Sequence, residues 1–140
     1  VTISNIRFQE LPKIIDERGN LSFVESPRFI PFDIKRVYWI YDVPGGEKRG
    51  GHAYRTLNEM IIALSGSFDV EFDDGENKAK YTLNRSYTGI FVPQLIWRSL
   101  TNFSTNALCL IIASEDYDEN NYIRNYSEFV SLKKIASANE

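Results

Sequence analysis

The sequence is poor in the features that usually announce a function class. One cysteine stands among 140 residues, which leaves no disulfide framework. That residue, Cys109, lies in the apolar run 107–113, where a small buried hydrophobe is expected rather than a nucleophile. Basic charge is also scarce: 16 Lys and Arg against 19 Asp and Glu give a net charge of −3. Such a chain has no field to neutralise a phosphate backbone, which argues against nucleic acid as a partner and leaves room for a single small anionic ligand. No apolar run approaches the roughly 18 residues of a bilayer span, and no signal-peptide pattern is present. No membrane partner is therefore expected, and a cytoplasmic location is. Linkers, internal repeats and low-complexity tracts are missing too, so residues 1–140 are expected to form one domain.

What the chain does have is aromatic surface, at 14% of residues, and short β-rich segments separated by turn signals. Strands are predicted over 21–26, 35–43, 59–66, 67–74, 79–84, 88–93, 97–103 and 107–114. Phe68, Val70 and Phe72 alternate with Asp69, Glu71 and Asp73, which predicts a strand with one wet face. The DDGENK stretch that follows carries Asp-Gly hairpin chemistry, and the continuous apolar run MIIALS predicts a strand covered on both faces. Beyond Ser114, Tyr122, Ile123, Tyr126, Phe129, Val130 and Leu132 recur at mixed three- and four-residue spacings. That pattern predicts an amphipathic helix over about 121–135, with Lys133 and Lys134 near its end suiting the macrodipole. The fold class is all-β, an antiparallel sandwich or barrel with a C-terminal helix.

The only histidine, His52, opens the pattern H-x-Y-x4-E-x6-G, with Tyr54, Glu59 and Gly66 at the other positions. On a strand His52 and Tyr54 share a face, and Glu59 at the start of the next strand can meet them. Downstream, Pro93 is followed five residues later by Arg98 and nine later by Asn102. By this spacing the two segments resemble the paired motifs of the cupin superfamily, whose fold is a jelly roll, a double-stranded β-helix barrel. Metal-binding cupins place two histidines and a glutamate in the first motif and a histidine in the second. Here those positions hold His52, Tyr54, Glu59 and Arg98. A guanidinium stays charged and cannot ligate a cation, so neither a metal nor another cofactor is expected.

The segments IPFDIKRVYWIYDVPGGEKRGGHAYRTLNE and SYTGIFVPQLIWRSLTNFS, with the tail motif YDENNYIRNY, resemble the dTDP-sugar 3,4-ketoisomerases of the WxcM-like, FdtA-type family. The likeness runs from about Ile14 to about Phe129. It implies a metal-independent isomerase that converts dTDP-4-keto-6-deoxy-D-glucose to its 3-keto isomer for bacterial surface glycans. Members commonly carry a second histidine where Tyr54 stands, and often a histidine where Arg98 stands.

The resemblance puts the catalytic base at His52, whose ordinary pKa of about 6.5 suits the task. Tyr54 or water is the expected acid, helped if nearby positive charge lowers the phenol's pKa, and Arg98 is the expected source of that charge and of enediolate stabilisation. Glu59 either orients His52 or pairs with an arginine at the barrel mouth. For the pyrophosphate Arg49 leads, with Arg18 and Lys35 or Arg36 as weaker candidates. Tyr38 and Trp39 face opposite ways, and Tyr38 is the one expected in the pocket, while Trp97 is expected in the core or an interface. A homodimer through strand exchange or sheet packing is expected. Two alternatives stand beside this reading: a non-catalytic sugar-nucleotide binding paralogue, and a 3,5-epimerase on the same barrel.

Overall fold

Alternation gives each strand two faces, and the strands sort into two antiparallel sheets that bury one face each against the other. The computed structural model of the chain describes residues 1–139. Its strands are β1 (Arg7–Glu10), β2 (Lys13–Ile14), β3 (Leu21–Ser22), β4 (Arg36–Ile40), β5 (Arg49–Tyr54), β6 (Glu59–Ser65), β7 (Phe68–Asp73), β8 (Lys78–Leu83), β9 (Thr88–Val92), β10 (Trp97–Thr101), β11 (Leu108–Ala113) and β12 (Tyr122–Ile123). Among the described residues one α-helix, α1 (Tyr126–Ala138), follows β12. The first sheet has the order β1-β9-β6-β11-β4 and the second β12-β5-β10-β7-β8, while β2 and β3 form a separate ribbon. This is a jelly roll, the fold the motif spacing implies. Its core lies between the sheets, where Ile61, Ile90 and Ile111 of the first meet Phe68, Val70, Phe72 and Leu100 of the second.

Strand β6 is covered on both faces from Glu59 to Ala63, as its apolar run predicts, but Leu64 and Ser65 at the end of that run are exposed. Ile61 and Ala63 point into the sandwich, whereas Met60 and Ile62 are capped from outside by Leu11 and Ile30. Strand β7 differs in part from its prediction, because of the three residues on its carboxylate face only Glu71 remains accessible to water. Asp69 accepts hydrogen bonds from Thr82 and Asn102, and Asp73 accepts one from the Tyr126 hydroxyl at 2.7 Å. Both aspartates are buried, since the neighbouring strand, the loop after β10 and the start of α1 close over them.

The tail departs most from expectation. Tyr122 and Ile123 are not helical; they pair with Tyr54 and Ala53 as a two-residue strand on the edge of the second sheet. The helix begins only after Asn125, whose side chain accepts the Glu128 N–H at 2.9 Å and caps it. Phe129 then packs with Ala53, Ile123 and Trp97, which docks the helix on the second sheet. Because the helix runs on to Ala138, Lys133 lies more than a turn from its end, and its amine donates to the Val1 carbonyl. The expected strand over 21–26 is likewise shorter, ending at Ser22.

Candidate active site

Four strands bring the site together. His52 and Tyr54 share the inward face of β5, and Arg98 of β10 lies directly opposite His52 in the register of the second sheet. Tyr38 of β4 and Glu59 of β6 approach from the first sheet. A cavity of about 510 Å³ opens beside this group, lined by Tyr38, Lys48, Arg49, His52, Arg98, Tyr122 and Arg124, whereas Tyr54 and Glu59 are buried behind it and do not line it. Trp39 faces the other way and is 57% exposed, although its edge reaches the cavity rim.

The close packing of β5 on β10 depends on a glycine. Gly50 has φ +88°, and a Cβ there would lie 2.8 Å from Arg98 Nη1 and 3.2 Å from the Arg98 carbonyl oxygen. The ladder between the strands shifts register at this point, between Arg98 and Ser99.

Arg98 is 1% exposed, as is Glu59, and the two form a bidentate pair: Nε donates to Oε1 at 2.7 Å and Nη2 to Oε2 at 3.1 Å. Arg98 Nη2 also donates to the Tyr38 hydroxyl at 3.2 Å, and that hydroxyl lies 3.2 Å from the Tyr54 hydroxyl. Of the two roles left open for Glu59, the structure therefore shows the pairing with arginine, and places it in the interior rather than at a barrel mouth. Both Glu59 oxygens are engaged by Arg98, whose fixed charge repels any cation approaching their remaining lone pairs. The donor set that remains, one imidazole, does not fit a divalent ion. Among the described residues no grouping of three or more His, Cys, Asp and Glu is disposed to hold one.

His52 is buried, and neither ring nitrogen makes a hydrogen bond of ordinary geometry. Its ring is boxed by Tyr54 at 4.8 Å and Tyr122 at 5.0 Å between centroids. Burial, then the charges of Arg98 and Arg124, push its pKa down to about 2, against weaker opposition from Glu119 and the Gly50 backbone. The imidazole is thus neutral at pH 7. Burial and the Glu59 charge raise the Tyr54 hydroxyl well above its ordinary value, and Arg98 opposes them without prevailing. The help that nearby positive charge would give Tyr54 as an acid is therefore not realised: burial first, and then the Glu59 charge, outweigh Arg98. Tyr38 is pushed up to about 12, chiefly by burial.

Other placements follow from local competition. Arg18 is exposed and its guanidinium is held by Asp16, two residues away; it does not reach the cavity. Lys35 is exposed and does not line it either. Trp97 stacks edge-on against Tyr126 at 5.3 Å and packs on Phe129, in the contact between sheet and helix. Cys109 is fully buried, with its thiol pushed up to about 12 by burial. Tyr122 and Arg124 were not among the residues expected here. Their signal lay in the motif YDENNYIRNY, where a helical reading of the spacing hid a strand that points alternate residues at the cavity.

A protein-family model described as FdtA, WxcM-like, C-terminal, matches residues 4–134. A protein of Aneurinibacillus thermoaerophilus named TDP-4-oxo-6-deoxy-alpha-D-glucose-3,4-oxoisomerase is 42% identical over 127 residues, covering 91% of this chain and 90% of its own. Among solved structures, a variant of the 3,4-ketoisomerase QdtA from Thermoanaerobacterium thermosaccharolyticum, in complex with TDP-4-keto-6-deoxyglucose, aligns with a TM-score of 0.91 at 34% identity. The alignment covers 93% of this chain and 94% of that one. The TDP-quinovose 3,4-ketoisomerase WlaRB from Campylobacter jejuni aligns with a TM-score of 0.88 at 42% identity, over 92% of this chain and 99% of that one.

Proposed function

The chain belongs to the FdtA, WxcM-like C-terminal family, and on that premise we propose that it is a dTDP-sugar 3,4-ketoisomerase, converting dTDP-4-keto-6-deoxy-D-glucose to the 3-keto isomer. The observation that carries the mechanism is His52: a neutral imidazole, neither of whose nitrogens makes a hydrogen bond of ordinary geometry, on the wall of a cavity that Arg98 also lines.

His52 takes the C3 proton. The electron pair of that C–H bond forms the C3=C4 bond, and the C4 oxygen becomes an enediolate. Return of the proton to C4, with the C3 hydroxyl proton passing to the C4 oxygen, then leaves a ketone at C3 and a hydroxyl at C4. In the free protein the imidazolium is disfavoured by burial and by Arg98. The enediolate is the anion that offsets both, so the charge pair is favoured only as the transition state is approached, which is where stabilisation accelerates reaction. Arg49, Lys48 and Arg124 at the cavity edge suit the two phosphates.

Incubation of the protein with dTDP-4-keto-6-deoxy-D-glucose, followed by NMR, is expected to give the 3-keto isomer with solvent deuterium exchange at C3. His52→Asn is expected to abolish turnover while still binding TDP. Tight binding by the unaltered protein without product would point instead to a non-catalytic binder, and exchange at C5 to an epimerase. The product suits the deoxysugar branch of bacterial surface-glycan synthesis, a cytoplasmic step.

A homodimer is part of the same proposal. Val37, Trp39, Tyr41 and Leu64 are 42–62% exposed on the outer face of the first sheet, an apolar area of the kind that a second copy covers. Trp39→Glu is expected to halve the mass measured by light scattering, and a monomeric unaltered protein would refute the dimer.

A further inference from the structure

The motif YDENNYIRNY, residues 117–126, builds one tied segment along the cavity edge. Its backbone is anchored at two buried points. Asn121 accepts the Thr56 N–H on its side chain and the Arg55 N–H on its carbonyl, both at 2.9 Å, and Ile123 is buried against Ala53 and Phe129. Between and beside those anchors the polar side chains face outward and bind one another. Arg124 Nε donates to Glu119 Oε1 at 2.7 Å and Nη2 to Oε2 at 3.1 Å, while the Tyr117 hydroxyl donates to Glu119 Oε2 at 2.6 Å. The Arg124 guanidinium lies 4.2 Å from the centroid of the Tyr122 ring, which is the ring packed against His52.

Glu119 therefore fixes one edge of a guanidinium whose plane is already set by an aromatic ring, and Arg124 lines the cavity. Two further cations, Lys48 and Arg49, line the same cavity, and the Lys48 amine lies 4.0 Å from Glu71. A planar fork held by its Nε edge keeps its remaining N–H groups for an anion, and holding it in advance reduces the ordering cost when that anion arrives.

We infer that Glu119 is a positioning residue for the diphosphate of the substrate, acting through Arg124, with Tyr117 holding Glu119 in turn. The inference rests on the dTDP-sugar reading above. In this arrangement the carboxylate does not compete with the ligand for the arginine but presents it. The same ring contact links the diphosphate end of the ligand to the wall of the histidine, so loss of the strap is felt at both.

The test is calorimetric titration of the full chain with TDP, alongside thymidine followed by NMR. Glu119→Ala, an exposed position, is expected to weaken TDP about two- to fivefold, the range of an exposed but geometrically ideal pair. Arg124→Lys, which keeps the charge and loses the fork, is expected to weaken it about tenfold. Thymidine, which has no phosphate, is expected to bind all three proteins alike. Unchanged or tighter TDP binding in Glu119→Ala would overturn the inference, because Glu119 would then be a bystander or a competitor. Equal weakening of thymidine would also overturn it, as the signature of a general structural defect. If the unaltered protein fails to bind TDP, the dTDP-sugar reading falls and this inference with it. Binding that is intact but indifferent to Glu119 removes only the inference.

Discussion

Replacing Glu59 with alanine should cost this protein more than almost any other single change. Glu59 and Arg98 are each 1% exposed, and every Glu59 oxygen is used by the guanidinium. Alanine at 59 leaves a buried cation with only the Tyr38 hydroxyl as a partner, and breaking one side of a buried pair costs about 3–5 kcal/mol. A chain of 140 residues unfolds with roughly 0.3 kcal/mol/K of entropy near its midpoint, at about 2.1 cal/mol/K per residue, so Tm should fall by about 10–17 °C. The pair itself is not what stabilises the fold, because burying two charges costs nearly what their attraction returns. A double replacement, Glu59→Met with Arg98→Met, should accordingly recover to within about 2 kcal/mol of the original while showing no isomerase activity. Thermal melts followed by circular dichroism on the single and double variants, run as a mutant cycle, measure both claims. A Glu59→Ala melt within about 3 °C of the original would refute the reasoning, since it would mean that the guanidinium does not depend on the carboxylate for its compensation.

The pH dependence of stability should carry the mark of His52. Its folded pKa of about 2 lies below the ordinary 6.5, so below pH 6.5 the unfolded chain takes up a proton that the folded chain refuses. Stability should therefore be unaffected above neutrality and fall by about 1.4 kcal/mol per pH unit on acidification below about pH 6.5. Urea midpoints at pH 7 and pH 5 should show this slope, reduced in His52→Asn; an identical slope in the two proteins would count against a neutral buried imidazole. Phe129→Ala should cost about 3–5 kcal/mol, because its ring is fully buried between α1 and the second sheet, and hydrogen exchange should show the helix loosened ahead of the sheets. Cys109, buried with its thiol pushed up to about 12, should resist a thiol reagent in the native protein and react on unfolding, and prompt native labelling would contradict its placement.

Most of the sandwich was legible because the strands from β6 to β11 are short β-rich runs bounded by turn signals, alternating in β7 and continuously apolar in β6. The exceptions have particular causes. Strand β5 carries two glycines and no alternation, so only the spacing around His52 marked it. The segment 122–123 fits helical spacing as well as strand pairing, and a capping bond at Asn125 together with two residues of ladder on β5 decides between them. For Glu59 the sequence left two partners open, since the choice depends on how β6 of one sheet faces β10 of the other. Arg18 offered a free guanidinium on paper, but Asp16 two residues away holds it in a local turn. What was least legible was electrostatic balance: a guanidinium near Tyr54 was visible in the spacing, but that burial and Glu59 outweigh it was not.

Gly50 gives the site an asymmetric freedom to vary. Its left-handed backbone and the 3.2 Å approach to the Arg98 carbonyl depend on the main chain of β10, so they would persist whatever side chain stood at 98. Only the 2.8 Å approach to Nη1 belongs to the arginine itself. A lineage that changes Glu59 together with Arg98, so that no buried charge is left unpaired, can therefore place a shorter group at 98 and keep the frame that presents it. The reverse path, a side chain at 50 tolerated first, is closed from both directions. Chemistry at this site is thus exchangeable within an architecture that is not, and libraries meant to alter the reaction have more to gain at 98 than at its neighbour across the ladder.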